Sequence, residues 1–357
     1  MADCCSPTFL FVLIRSVHYA ACLLLLAVWA FDRLVLPAVA TNAPQSLRER
    51  WHVLEWRWSL FLMPVIAISG IAWFMQVCVN MSGLSFAEAM HPDIVRTILG
   101  QTSFGRVWEV RSIIWLCCGP LYTTFRMPRI FRTMSGWINM LLAAALVSSL
   151  AWAGHGQDGG RWHLLADAIH LFTAGLWPMG LAPLAVMLFE LRKRSTDDRR
   201  ALARLVVFRF SGLSLLCVVL LAGSGIVNSF YMIGTLGNLI STVYGKVLLC
   251  KVGIFLIILV IAAINRLRLM PRLAGSVCTT SSWSSRVAVG PQGHSFAASE
   301  SAPARRPLRG DAIRSDVACT AESAARKLRW NVAAELILGI TVLIVTAVLG
   351  LLATPHP

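Results

Sequence analysis

The chain has 357 residues, of which 57% are hydrophobic and 14% charged, with a formal net charge of +15. That balance excludes a soluble globular domain, which could not hide so much apolar surface from water, and identifies an integral membrane protein. The positive charge raises nucleic acid as a partner, but the placement of the 32 Lys and Arg assigns it to topology and leaves no nucleic-acid role.

In chain order, runs long enough to cross a bilayer core of about 30 Å as helices are expected near residues 8–33, 56–79, 104–125, 135–154, 162–190, 206–232, 244–267 and 331–353. The expected fold is therefore an all-α polytopic membrane protein with eight transmembrane helices, embedded directly in the lipid bilayer. The connections after spans 1, 3, 5 and 7 share one face, and 25 of the 32 basic residues lie nearer that face against 7 nearer the other. By the positive-inside tendency the rich face is cytoplasmic and both termini are outside. The first span does not read as a cleavable signal, because no Lys or Arg precedes Arg15 and both Arg15 and His18 lie within the apolar run. The ten cysteines form no C-x-x-C pair, so no disulfide framework is expected.

Polar landmarks inside the spans repeat. Thr102-Ser103-Phe104-Gly105-Arg106-Val107 with Arg111 matches Thr242-Val243-Tyr244-Gly245-Lys246-Val247 with Lys251. Ser69-Gly70-Ile71 answers Ser224-Gly225-Ile226, His18 answers His170, and His155 after span 4 answers His356 after span 8. Four matches in one order predict a parallel four-plus-four repeat with its site between the halves. Residues 1–272 hold spans 1 to 7. Residues 273–327, rich in Ser, Ala, Arg and Pro, read as a disordered cytoplasmic loop, and 328–357 supply span 8 and the outer C-terminus.

Three histidines fall within sixteen residues, His155, His163 and His170, with Asp167 on the helical stripe between the last two. In the topology above, His18, His91, His155, His163, His170 and His356 lie toward the outer face, leaving His52 and His294 toward the cytoplasm. Neutral imidazole is a ligand for copper, zinc, iron and haem, and a thioether such as Met90 beside His91 suits copper, Cu(I) in particular. Charges inside a bilayer cost a few kcal/mol each and find partners or line a path. Arg15 and Asp167, each three residues before a repeat histidine, are expected to pair across the halves and make His18 and His170 face one another. Glu109, Arg111 and Lys251 are further candidates for a polar path.

The H-x-x-x-D-x-x-H stripe followed by Leu176-Trp177, and the motifs Arg209-Phe210-Ser211, Gly223 to Asn228, Thr242 to Lys251 and Asn265-Arg266-Leu267-Arg268, resemble the CopD/PcoD family of bacterial inner-membrane copper-resistance proteins. Span 1, the Thr102 to Arg111 motif and the final helix fit the same pattern. The resemblance implies an eight-span inner-membrane protein that handles copper ion, as Cu(I) or Cu(II), between periplasm and cytoplasm; inward movement is the expected direction, and with no nucleotide-binding loop or Asp-Lys-Thr-Gly motif in the sequence, ATP-driven pumping is not expected. It also implies a periplasmic CopC-like partner and functional histidines at His155, His170 and His18. Pro178-Met179 and the long 273–327 loop depart from the family pattern. The alternative is a b-type haem redox protein with His18 and His170 as axial ligands; the span 5 stretch is also similar to the HemJ type of protoporphyrinogen oxidase.

Overall fold

The computed structural model describes residues 7–36, 45–122, 129–153, 160–192, 197–272, 309–352 and 354–355, and these are helical apart from short connections. The long helices are α1 (Pro7–Ala30), α2 (Gln45–Ser82), α5 (Ser103–Tyr122), α6 (Arg129–Ser148), α7 (Gly160–Leu176), α8 (Leu181–Arg192), α9 (Asp197–Ile233), α11 (Val243–Ile264) and α12 (Arg309–Leu349). Short helices α3 (Phe86–Ala89) and α4 (Pro92–Gln101) link α2 to α5, and α10 (Leu236–Ser241) links α9 to α11. Wide π turns extend α1 through Phe31–Val35 and α11 through Asn265–Leu269.

Backbone polar groups have no water to bond inside a bilayer, which is why apolar runs of this length become helices. Among the described residues, seven helical segments are long and apolar enough to cross a membrane: Phe9–Val35, Arg48–Ser82, Met134–Ala153, Gly160–Arg192, Asp198–Ile233, Val243–Arg272 and Glu322–Leu349. The remaining expected span is α5, whose Arg106, Glu109 and Arg111 dilute its apolar character. The outer surface carries Phe61, Ile68, Ile113, Leu116, Ile226 and Phe230 in exposed positions, as a lipid-facing surface does.

Two expectations are revised. Span 5 is two helices, not one: Pro178 has no N–H to give and its ring obstructs a continuous helix, so the chain turns at residues 177–180 between α7 and α8. Span 8 belongs to a helix that begins at Arg309, so residues 309–327 are helical and not part of an irregular loop. Ala and Arg, good helix formers, recur through 309–327, and helix propensity there extends the turn that the apolar run requires.

The hairpin α1–α2 has a counterpart in α7–α9, and α5–α6 in α11–α12. The equivalent helices α1 and α7 meet in the middle, where Gly175 of α7 lies under Leu23 and Leu26 of α1. A Cβ on Gly175 would come within 2.9 Å of Leu26, and a small residue at such a crossing is what lets two membrane helices approach. Gly175→Leu is therefore expected to cost about 1–3 kcal/mol by overpacking, seen as a lower thermal midpoint of the purified protein. Gly253→Leu, at a position with open space around it, is the control and leaves the midpoint near wild type.

Candidate functional site

The repeated motifs fold into repeated geometry. In the first half, Ser69 of α2 bonds back to the Val65 carbonyl at 2.5 Å, and its oxygen lies 3.1 Å from His18 Nδ1. In the second, Ser224 of α9 bonds to the Leu220 carbonyl at 2.7 Å and lies 3.1 Å from His170 Nδ1. The next residue is glycine in both cases, and a Cβ there would sit 3.2 Å from His18 Cε1 or 3.3 Å from His170 Cε1. Ser-Gly thus combines a bond to the ring with room for it. Thr102 and Thr242 start α5 and α11 in matching fashion, accepting from the Gly105 and Gly245 amides at 2.9 and 3.0 Å. Glycine is required at both places because a Cβ would strike the carbonyls of the preceding short helix.

Along the α7–α9 hairpin the polar stripes pair rung by rung. His163 stacks on Tyr231 with ring centroids 5.0 Å apart, Asp167 accepts from Asn228 Nδ2 at 3.2 Å, and His170 meets Ser224. Asn228 and Tyr231 stand four and seven residues after Ser224, the spacing of one helical face. Periodicity on α9, read against the α7 stripe, is the signal by which these two residues could have been found. The equivalent rungs on α1 and α2 hold different chemistry: Arg15 lies over Trp73 at 5.6 Å and over Tyr19 at 5.4 Å.

The expected Arg15–Asp167 ion pair does not form. Arg15 donates to the Gly350 carbonyl of α12's end at 3.0 Å and to the Tyr19 hydroxyl at 3.2 Å, whereas Asp167 is held by Asn228. Asp167 finds its partner within its own half, whereas Arg15 crosses between the halves to a backbone carbonyl at the end of α12 and not to the carboxylate. Nor do His18 and His170 share a bonded contact; each ring is bonded within its own half.

The halves also differ at one decisive place. Arg111 of α5, 3% exposed, puts its guanidinium nitrogen 2.8 Å from His18 Nε2. It also donates to the Leu146 carbonyl at 2.7 Å and Ser149 Oγ at 2.6 Å, and its charge lies over Trp108. Both His18 nitrogens are consequently engaged, with Cys22 Sγ 3.7 Å from Nε2. Among the described residues, the equivalent residue, Lys251, makes no hydrogen bond to His170 or Asp167, and the bond recorded for the His170 ring is the one at Nδ1 to Ser224.

His91 lies exposed at the head of α4, 3.5 Å from Asp93, and Met90 ends α3. That turn is fixed by a capping box in which Ser85 Oγ donates to Glu88 at 2.6 Å, holding the exposed Glu88 carboxyl below its ordinary range. His155 and His356 lie outside the described residues. Among the described residues, the candidate histidines of the outer end do not assemble three His, Cys, Asp or Glu donors within 4.8 Å; the group that does is Asp32, His52 and Glu55 at the opposite end of α1.

Comparison with known proteins adds the chemistry that this geometry accommodates. Residues 1–164 match the copper resistance protein D-like N-terminal domain and residues 179–293 match copper resistance protein D. Over 207 residues the chain is 28% identical to the copper transport protein CutJ of Bacillus subtilis (strain 168), covering 56% of this chain and 38% of that protein. It is 30% identical over 206 residues to copper resistance protein D of Pseudomonas syringae pv. tomato, covering 55% and 64%. With the inner membrane protein YebZ of Escherichia coli (strain K12) the identity is 26% over 271 residues, 74% of this chain and 86% of the relative. The chain thus spans less than two thirds of the length of the first two of these relatives. No solved structure matches it. Two domain matches in sequence, over helices that repeat one histidine-centred geometry, make the chain a multi-pass inner-membrane member of the copper resistance protein D family.

Proposed function

We propose that this protein carries copper inward across the cytoplasmic membrane, and that the second half, not the first, receives the ion. The carrying observation is the unequal treatment of the two repeat histidines. Arginine stays protonated in any protein environment, so the Arg111 guanidinium 2.8 Å from His18 Nε2 repels a metal cation from that nitrogen. His170 Nε2 has no such occupant, and Asp167 one turn away contributes negative charge on the same stripe. His18 is in this reading a structural element of a sealed half, and His170 a ligand of an open one. His155, His163 and His356, with Met90 and His91, complete the capture surface at the outer end, where a periplasmic CopC-like protein would deliver copper.

The orientation rests on charge. With α5 counted as an eighth crossing, both termini lie outside and the arginine-rich connections lie in the cytoplasm. Copper arriving at the histidine-rich end then travels toward the basic end, which suits uptake down a membrane potential that is negative inside.

Elemental analysis of the purified protein tests the assignment. Replacing His155 and His170 together by Ala is expected to remove the copper held at the outer end and the copper accumulation of expressing cells, with the protein still folded. His18→Ala leaves copper content near wild type but lowers thermal stability more than His170→Ala does, because it removes one of the acceptors of the buried Arg111 guanidinium, a loss of about 1.5–3 kcal/mol. Equal copper loss in His18→Ala and His170→Ala would remove the distinction between the halves.

Lys251→Arg gives a sharper outcome. A guanidinium at that position reaches His170 as Arg111 reaches His18, so copper affinity falls at least tenfold while the protein remains as stable as wild type. Unchanged copper binding in a folded Lys251→Arg protein would overturn the reading.

A further inference from the structure

The end of the molecule opposite the histidine-rich stripe holds a group of side chains that the reading above does not use. Asp32 lies in the π turn that ends α1, and His52 and Glu55 lie one turn apart on the facing side of α2. His52 Nδ1 is 3.3 Å from Glu55 Oε2 and 4.0 Å from Asp32 Oδ1. All three donor atoms lie within 4.8 Å of one another. Two ligands of one first-row ion, each about 2.0–2.2 Å from it, are separated by no more than about 4.4 Å, so the three atoms need only small rotations to share a metal.

Three further observations separate this group from an ordinary surface ion pair. Asp32 is 6% exposed, and the side chains of His52 and Glu55 are 13% and 16% exposed, enough for entry and too little for full hydration. Glu55 lines a narrow crevice with Val28, Trp51, Trp58 and Pro183, so its carboxylate is backed by apolar rings. The π turn departs from regular helix where Asp32 is presented, and such single turns recur at functional positions. Arg33 bonds Asp32 through Oδ2 at 2.9 Å, leaving Oδ1 directed to His52.

We propose that Asp32, His52 and Glu55 form a second metal site, which takes a divalent first-row ion and Cu(II) above the others. One imidazole and two carboxylates make an N,O donor set that lacks the thiolate or thioether Cu(I) prefers, and among divalent ions such sets hold Cu(II) most tightly. The site lies about 21 Å along α1 from His18, at 1.5 Å per residue, which puts it at the far side of the membrane from the capture surface. Its role as the station from which copper leaves rests on the uptake reading above; its binding of metal does not.

The test uses the full-length protein in lipid nanodiscs, titrated with Cu(II) alone and followed by electron paramagnetic resonance and by metal count after dialysis. Beyond the copper held at the outer end, wild type is expected to hold one Cu(II) with an axial signal split by a single nitrogen. His52→Ala with Glu55→Gln loses that signal and that equivalent, and Asp32→Asn weakens it at least tenfold. The single Glu55→Gln change, nearly isosteric, supplies the folded comparison should the double variant be unstable. The His155→Ala, His170→Ala protein keeps the signal, so failure of the outer site and failure of this one are read separately. An unchanged Cu(II) count and spectrum in folded Glu55→Gln and Asp32→Asn would overturn the proposal and leave the group as an ion-pair tie between α1 and α2.

Discussion

A histidine buried between membrane helices depends on a neighbouring side chain to orient its ring, because no bulk solvent is at hand to do it. Here the answer is a serine hydroxyl on the next helix, already committed to its own i−4 carbonyl, followed by a glycine that clears space for the ring. This arrangement fixes the relative rotation of α1 against α2 and of α7 against α9, since turning either helix by one residue would separate the pair. Cross-helix bonds of this kind contribute roughly 0.6–1.7 kcal/mol each, less than the packing around them. Their larger effect is on register: with Ser and His locked, Trp73 is placed beside Arg15 in one half, and Asn228 beside Asp167 in the other.

Register in turn determines what each half can bind. The third helix of each half brings a cation toward the histidine, and the length and shape of that cation decide the outcome. A guanidinium has five donors in a planar fork and can bond His18, a carbonyl and a hydroxyl at once. An ammonium on a flexible stem does not fill the same space. In the proposed reading, the difference between a plugged ring and an approachable one lies in a residue that touches neither the serine nor the glycine.

Much of this was legible in the chain because polar residues are rare in the spans and so each carries information. The Ser-Gly pairs, the Thr-x-aromatic-Gly starts and the two histidines were recognisable as a repeat from order alone, and each proved to be a matched set of contacts. What the order could not supply was the partner chosen by each charge. Arg15 and Asp167 are opposite in sign and equivalent in position, yet a backbone carbonyl and a tyrosine satisfy one, and an amide the other. Asn228 shares a helical face with Ser224 and so could be reached by periodicity, whereas Gly350 lies 335 residues from Arg15 with no motif linking them. His52 was passed over for a related reason, because its carboxylate neighbour Asp32 lies across a hairpin and reaches it only through the widened turn at the end of α1.

The duplication has a practical meaning for anyone working with the molecule. One chain holds the same helical frame in two electrostatic conditions, one histidine clamped by a fixed cation and one approached by a mobile cation. A spectroscopic label or a reactive probe placed at equivalent positions in the two halves experiences the same detergent, the same lipid and the same protein concentration. In the proposed reading the first half, with its histidine held by Arg111, is an internal reference for the second, and differences between them report the site itself and not the surroundings.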